Sequence, residues 1–219
     1  MRIVREEIGS GWKMILGDAL EILPSLQSNS INAIVTDLPY GNNTAYISYN
    51  DTPSNLAKLI ELFMPEARRI ARVIAITTGI KNMFLYPPPT WVLAWVVPAG
   101  IGCSPWGFCC WHPILVYGPD PYLATASGSL PDAVVWSEPS PKLIHPCPKP
   151  EKWSQWLINR VTLRGQSVLD CFAGSGTFGV ACLRLGRQYT GIEIEERYFD
   201  EAVSRLRQEE TRVQLPLGL

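Results

Sequence analysis

Short apolar, β-branched runs recur along this chain, and polar or helically spaced stretches separate them. Trp12 to Leu16 is an apolar run that stops at Gly17-Asp18, and Ile31 to Thr36 reads as a strand buried on both faces. Arg72 to Thr78, Trp91 to Val97, Pro113 to Tyr117, Val168 to Cys171 and Tyr189 to Glu193 have the same character, so seven strands are predicted. Leu56, Leu59, Ile60, Phe63 and Ala67 fall at helical spacing and predict a helix over Pro53 to Ile70, strained by Pro65. Further helices are predicted over Ala19 to Leu26, Lys152 to Val161, Phe178 to Leu185 and Glu195 to Glu210, with a loose tail from Thr211 to Leu219. Asn42 to Asp51 reads as a loop. Gly118 to Pro150, rich in Pro, Ser and Gly, reads as an extended surface excursion. Strands that alternate with helices predict an α/β fold with a mostly parallel sheet. Trp91 to Val97 and Pro113 to Tyr117 are expected to add an antiparallel hairpin.

Composition refines this only at a few points. The 219 residues suffice for a single domain with one substantial core, and 47% hydrophobic against 18% charged residues is an ordinary globular balance. The formal net charge is -1, so any phosphate-binding surface has to be a local patch. The densest basic clusters are Arg68, Arg69 and Arg72, then Arg184 and Arg187, and solvated helix faces are the plainer reading of both. The richest apolar stretch, Trp91 to Gly102, is cut by Pro98 and Gly100 and fits a core strand, not a membrane span. Met1 to Glu7 has no signal-peptide apolar region, and a cytoplasmic location is expected. The six cysteines include no C-x-x-C pair and read as free, mostly buried thiols. A zinc site from Cys103, Cys109 or Cys110, His112, His145 and Cys147 has irregular spacing and is the weaker reading, so no metal is expected.

The candidate chemistry lies in two turns. Asp170 to Gly179 reads D-C-F-A-G-S-G-T-F-G, a strand, a glycine turn and a helix start. Glycine lets the backbone approach a ligand closely, and a helix N-terminus offers unpaired N–H groups, so the turn suits a nucleotide-like cofactor. Gly174, Gly176 and Gly179 also fit G-x-G-x-x-G, which admits a nicotinamide or flavin site. A dinucleotide fold starts with this turn and needs several strands after it, whereas only about one strand-helix unit follows here. Asp170 suits a ligand with a cationic amino group. Glu193, between Ile192 and Ile194 at the end of the next strand, suits two ribose hydroxyls.

The second turn, Asp37-Leu38-Pro39-Tyr40, directly follows a buried strand. An amino group conjugated with an aromatic ring is a poor nucleophile, because its lone pair is delocalised. Two acceptors for its N–H bonds favour a pyramidal nitrogen with an available lone pair. Asp37 offers one acceptor and the carbonyl of Leu38 the other. Pro39 stiffens the turn, and Tyr40 presents a flat face to a base swung out of a duplex. A plain turn has the same composition, so the tetrapeptide gains weight only beside the glycine turn.

Together these residues resemble the amino-methylating DNA methyltransferases in their permuted β-type order, where D-P-P-Y comes first and F-x-G-x-G late. Here D-L-P-Y stands at residues 37 to 40 and Phe172-Ala173-Gly174-Ser175-Gly176 near the end, with His145-Pro146-Cys147-Pro148-Lys149-Pro150 matching a third element, H-P-x-x-K-P. The resemblance implies a Rossmann-like class I methyltransferase fold with a seven-stranded sheet and S-adenosyl-L-methionine as cofactor. It implies catalytic roles for Asp37, Leu38, Pro39 and Tyr40. Asp170, Phe172, Gly174, Ser175, Gly176 and Thr177 would line the cofactor's methionine end, Glu193 would hold its ribose and Asp18 would lie near its adenine. Lys149 would sit near its carboxylate or fix the loop. Leu38 departs from the family's proline, which costs rigidity but keeps the carbonyl.

The implied activity is methyl transfer to an exocyclic amino group in DNA. Adenine N6 is the first expectation, because Asp is the commoner first motif residue in adenine enzymes, and cytosine N4 is the alternative. Methylation of RNA or of a protein glutamine, and a non-catalytic DNA- or cofactor-binding module, are the rivals. Target recognition is expected within about Gly118 to Leu143, a stretch too short for its own core, so short or relaxed sequence recognition is expected, or help from a second subunit in a homodimer. Trp106, Phe108, Trp111, Tyr122 and Trp136 are candidates to stack on bases, although core packing is the commoner fate of such residues. The loop from Gly41 to Asp51 after the catalytic turn is expected to close over the flipped base, with Tyr46 or Tyr49 touching DNA.

Overall fold

The computed structural model describes residues 3–100, 102–104, 106–138 and 149–214. In chain order the elements are β1 (Arg5–Gly9), β2 (Trp12–Leu16), α1 (Ala19–Ile22), β3 (Ile31–Asp37), α2 (Pro53–Ile70), β4 (Ala71–Thr77), β5 (Trp91–Val96), β6 (Cys103–Ser104), β7 (Gly107–Phe108), β8 (Trp111–Tyr117), α3 (Pro121–Ala124), β9 (Ala133–Val135), α4 (Glu151–Val161), β10 (Ser167–Asp170), α5 (Thr177–Arg184), β11 (Gln188–Glu193) and α6 (Glu196–Gln214). β6 and β7 form a separate two-stranded ribbon, and the other strands make one sheet ordered β1-β2-β11-β10-β3-β4-β8-β5-β9. The central run from β2 to β4 is parallel. β8 returns antiparallel between β4 and β5, the hairpin expected from the sequence.

The sheet has nine strands where seven were expected, and both additions lie at its edges. β1 carries Arg5, Glu6 and Glu7, which mask its strand character; charges suit an edge strand with a single partner. β9 pairs parallel to β5 from inside the Gly118 to Pro150 stretch, so the described part of that excursion also holds a strand and the short helix α3. α6 runs to Gln214, past its expected end at Glu210, and α2 continues through Pro65.

Side-chain alternation divides the apolar residues between the two faces of the sheet. Ala33, Val35, Val73 and Ala75 join Trp153, Phe178, Phe199 and Leu206 of α4, α5 and α6. Ile34, Ile74 and Ile76 join Leu56, Phe63 and Ile70 of α2. Burial on both faces is why β3 reads as a continuous apolar run.

From β10 the chain crosses through α5 to β11 on one side, and from β3 it crosses through α2 to β4 on the other. The strand order therefore reverses between β10 and β3, where an open α/β sheet leaves a crevice at the carboxyl ends of its strands. Among the described residues, no helix is long and apolar enough to cross a membrane.

Candidate active site

Asp37, Asp170 and Glu193 are the last residues of β3, β10 and β11, and Asp18 follows β2 by two residues. One parallel register thus brings four acidic residues, far apart in sequence, to one edge of the sheet. They line a pocket of about 400 Å³ together with Pro39, Lys149, Phe172, Gly174, Ser175 and Thr177.

Around the glycine turn the carboxylates have defined partners. Asp170 is buried; its Oδ1 accepts from Thr36 Oγ1 at 2.8 Å and from the Phe172 amide at 3.3 Å, and its Oδ2 from the Tyr189 hydroxyl at 3.4 Å. Burial pushes its pKa up to about 7. Glu193 accepts from the amides of Gly174, Ile194 and Glu195 at 2.7, 3.0 and 2.9 Å. Burial raises its pKa too. A carboxylate has about four acceptor sites, so these three amides leave roughly one open. Asp18 caps α1, its Oδ1 accepting from Leu20 N at 2.8 Å.

The turn itself requires glycine. Gly174 and Gly176 have φ of 52° and 73°. A Cβ on Gly176 would stand 2.9 Å from that of Ala202 on α6. Arg205, also on α6, clamps the turn: its Nη1 donates to the Ser175 carbonyl at 2.6 Å and to Thr177 Oγ1 at 3.0 Å, and its Nη2 donates to Glu151 at 3.2 Å.

The D-L-P-Y turn is held as firmly. Tyr40 donates its hydroxyl to Asp37 Oδ1 at 2.8 Å, and Thr77 of β4 donates to the same oxygen. Lys149 Nζ donates to Asp37 Oδ2 and lies 5.1 Å from the centre of the Tyr40 ring. Lys149 therefore meets the D-L-P-Y turn, where the resemblance implied a place near the cofactor's carboxylate or as a loop anchor. Burial lowers its pKa, but Asp37 and Tyr40 outweigh this and the net shift is upward. Burial, reinforced by Asp37, raises that of Tyr40. Leu38 is buried at 1% exposure in the α2-side core, which anchors the turn that a proline would have stiffened. His112 stacks on Trp95 at 5.1 Å and lies 6.4 Å from the Tyr40 ring; burial lowers its pKa to about 4.

Residues 41–51 fold over the pocket. The buried Asp51 accepts from the amides of Gly41, Asn42 and Thr44 at 2.6, 3.1 and 3.0 Å, and Asn82 donates to the Tyr40 carbonyl at 2.7 Å. Tyr46, Ser48 and Tyr49 thereby line the pocket, and Ser48 donates to Glu195.

Other expected features resolve differently. Arg69 holds the carbonyls of Leu23 and Leu26, Arg184 pairs with Glu151 and Glu209, and the buried Arg187 bonds Thr162 and Asn159. Both basic clusters are thus partly structural, neither free patches nor simply solvated. Tyr122 donates to the Asn159 carbonyl and Trp136 packs on the core, while Trp106 and Phe108 are 99% and 79% exposed on the β6–β7 ribbon. Of the described cysteines only Cys171 and Cys182 are buried, against the expectation of mostly buried thiols. No three metal-binding side chains converge among the described residues. His145, Pro146, Cys147 and Pro148 lie outside the described residues, as does the end of the expected recognition segment.

Residues 108–204, which include the glycine turn and Glu193, match the N6/N4 DNA methylase family model. Over those residues the chain is similar to the N6/N4 DNA methylases. It is 46% identical over 72 residues to Type II methyltransferase M.Cfr9I of Citrobacter freundii, covering 33% of this chain and 21% of that protein. To M.HpaI of Haemophilus parainfluenzae it is 27% identical over 235 residues, covering 89% of this chain and 74% of the relative. The match to M2.DpnII of Streptococcus pneumoniae, 45% over 65 residues, spans 30% of this chain and 24% of that protein. The matched stretches thus make up only about a fifth to a quarter of two of these methylases. The fold is that of class I methyltransferases. PvuII DNA methyltransferase (cytosine-N4-specific) superposes with a TM-score of 0.71 at 15% identity, over 97% of this chain and 96% of that one. The complex of M1.HpyAVI with SAM gives 0.63 at 22% identity, over 89% and 98%.

Proposed function

We propose that this chain methylates the exocyclic amino group of a base in DNA, adenine N6 in the first instance, using S-adenosyl-L-methionine. The observation that carries the reading is that Asp37, fixed by Thr77 and Tyr40, lines the same pocket as the buried Asp170 and Glu193.

The pocket suits the cofactor by its donors and acceptors. Asp170 matches an ammonium, Glu193 a ribose hydroxyl, and Phe172, Leu20 and Ile194 give apolar walls. When bound, S-adenosyl-L-methionine supplies a methyl group on a positively charged sulfur. Asp37 accepts one N–H bond of the target amino group and Leu38's carbonyl the other, which localises the lone pair and leaves Asp37 facing the charge that develops on nitrogen. The Tyr40 ring stacks the base, and its hydroxyl keeps Asp37 oriented. The loop of residues 41–51 excludes water from both partners.

Asp at the first motif position supports adenine. Cytosine N4 is the second reading, because a structural neighbour with the same fold is cytosine-N4-specific. Digestion of DNA treated with the protein and S-adenosyl-L-methionine, followed by nucleoside mass analysis, tests this. N6-methyladenine is expected; N4-methylcytosine transfers the reading to cytosine, and no methylated base in DNA overturns it.

A further inference from the structure

Lys149 occupies an unexpected position. Its ammonium donates to Asp37 Oδ2 and lies 5.1 Å from the centre of the Tyr40 ring. These are the two features assigned above to the target amino group: an acceptor for N–H, and the aromatic face that stacks the base. The pair is also largely sequestered, with side-chain exposures of 14% for Lys149 and 21% for Asp37. Thr77 and Tyr40 both bond Oδ1, so Oδ2 is the oxygen a base would use, and Lys149 holds it.

We infer that Lys149 stands in for the target amino group in the DNA-free protein, and that the entering base must displace it from Asp37. This rests on the proposed methyl transfer and deepens it.

A largely sequestered carboxylate without a partner is costly, so Lys149 supplies Asp37 with a counter-ion and a hydrogen-bond donor while no base is present. The ammonium is tetrahedral, cationic and donates N–H, as the methylated amino nitrogen is before it loses its proton. A site that holds Lys149 is therefore complementary to the charge that develops during transfer, more than to the neutral amino group that enters. The occupant also reduces the fraction of protein competent to accept a base, and apparent affinity falls in proportion.

The sign of one measurement distinguishes this from other roles. Removing a cation from a phosphate contact weakens DNA binding. Removing Lys149 should strengthen it wherever a base reaches the site. The test is fluorescence anisotropy with a mixed-sequence single-stranded oligonucleotide, whose bases pay no unpairing cost, using the full chain and Lys149→Met. If nine-tenths of the protein holds the Lys149–Asp37 pair, affinity rises about tenfold. Lys149→Gln serves as a second, polar replacement, with thermal melts to verify folding. In an Asp37→Asn background, the gain from Lys149→Met should shrink towards none, because the pair is already weakened. Equal or weaker binding by folded Lys149→Met and Lys149→Gln overturns the inference while leaving the methyl-transfer reading intact. Absence of any DNA binding and any methylated product, in wild type and variants alike, overturns both.

Discussion

The hydroxyl of Thr36 on β3 donates to Asp170 Oδ1 on β10 at 2.8 Å, bridging the point where the strand order reverses. The strand that delivers the D-L-P-Y turn and the strand that delivers the glycine turn are thereby tied one residue before Asp37. The distance between the two turns is set by sheet register and a buried hydrogen bond.

If Asp170 meets the cofactor's ammonium as proposed, binding should depend on pH. Its folded value is about 7 against an ordinary 3.8, so between these values the folded chain keeps a proton that the unfolded chain has lost. Its contribution to stability is greatest at low pH and declines until about pH 7. Its attraction for an ammonium has the opposite sign, appearing as the group ionises. Calorimetric affinity for S-adenosyl-L-methionine should rise from about pH 6 to 7.5, before an α-amino group itself deprotonates near ~7.7–8.0. Asp170→Asn should flatten this rise; an equal slope in the variant assigns it elsewhere.

Arg205→Met keeps an apolar stem but releases the Ser175 carbonyl and Thr177 hydroxyl. Hydrogen bonds from a charged donor contribute roughly 1.5–3 kcal/mol, so cofactor affinity should fall at least about tenfold, with a lower thermal midpoint. Unchanged affinity would show that the glycine turn holds its shape without α6.

Asp51→Ala leaves three loop amides without their acceptor, at a cost of roughly 2–3 kcal/mol. Hydrogen exchange should accelerate across residues 41–51 while the β3 and β10 amides remain protected. Uniform acceleration would indicate global unfolding instead.

Leu38→Pro brings the turn closer to the family pattern but removes a buried side chain. The account expects a stability loss on the order of 1–3 kcal/mol from the lost apolar burial and no gain in turnover. A faster and equally stable variant would show that core anchoring does not replace the lock on φ.

The elements of the candidate site were legible where chemistry and periodicity coincide. Asp37 and Glu193 follow apolar runs, and the glycines punctuate a strand-to-helix junction, so their places on the sheet edge could be read directly. Thr77, Asn82, Asp51 and Arg205 could not. Each acts through a side-chain bond to a partner distant in sequence or in an irregular loop, as Arg205 does with Ser175, 30 residues away, and such bonds leave no periodic trace. β1 was hidden because an edge strand tolerates charge, and β9 because three residues are too few to establish alternation. Asp51 carried the one available hint, an acidic residue closing a polar loop just before a Thr-Pro helix start, but its burial became evident only from the fold.

The central claim is that Asp37 drives methyl transfer to a DNA base. Its most direct test is single-turnover transfer of labelled methyl from S-adenosyl-L-methionine to unmethylated mixed-sequence DNA, with wild type and Asp37→Ala, alongside calorimetric binding of the same cofactor. The account predicts labelled DNA from wild type, a rate at least about 10²-fold lower for Asp37→Ala, and cofactor affinity little changed. Undiminished transfer by a folded Asp37→Ala variant would contradict it.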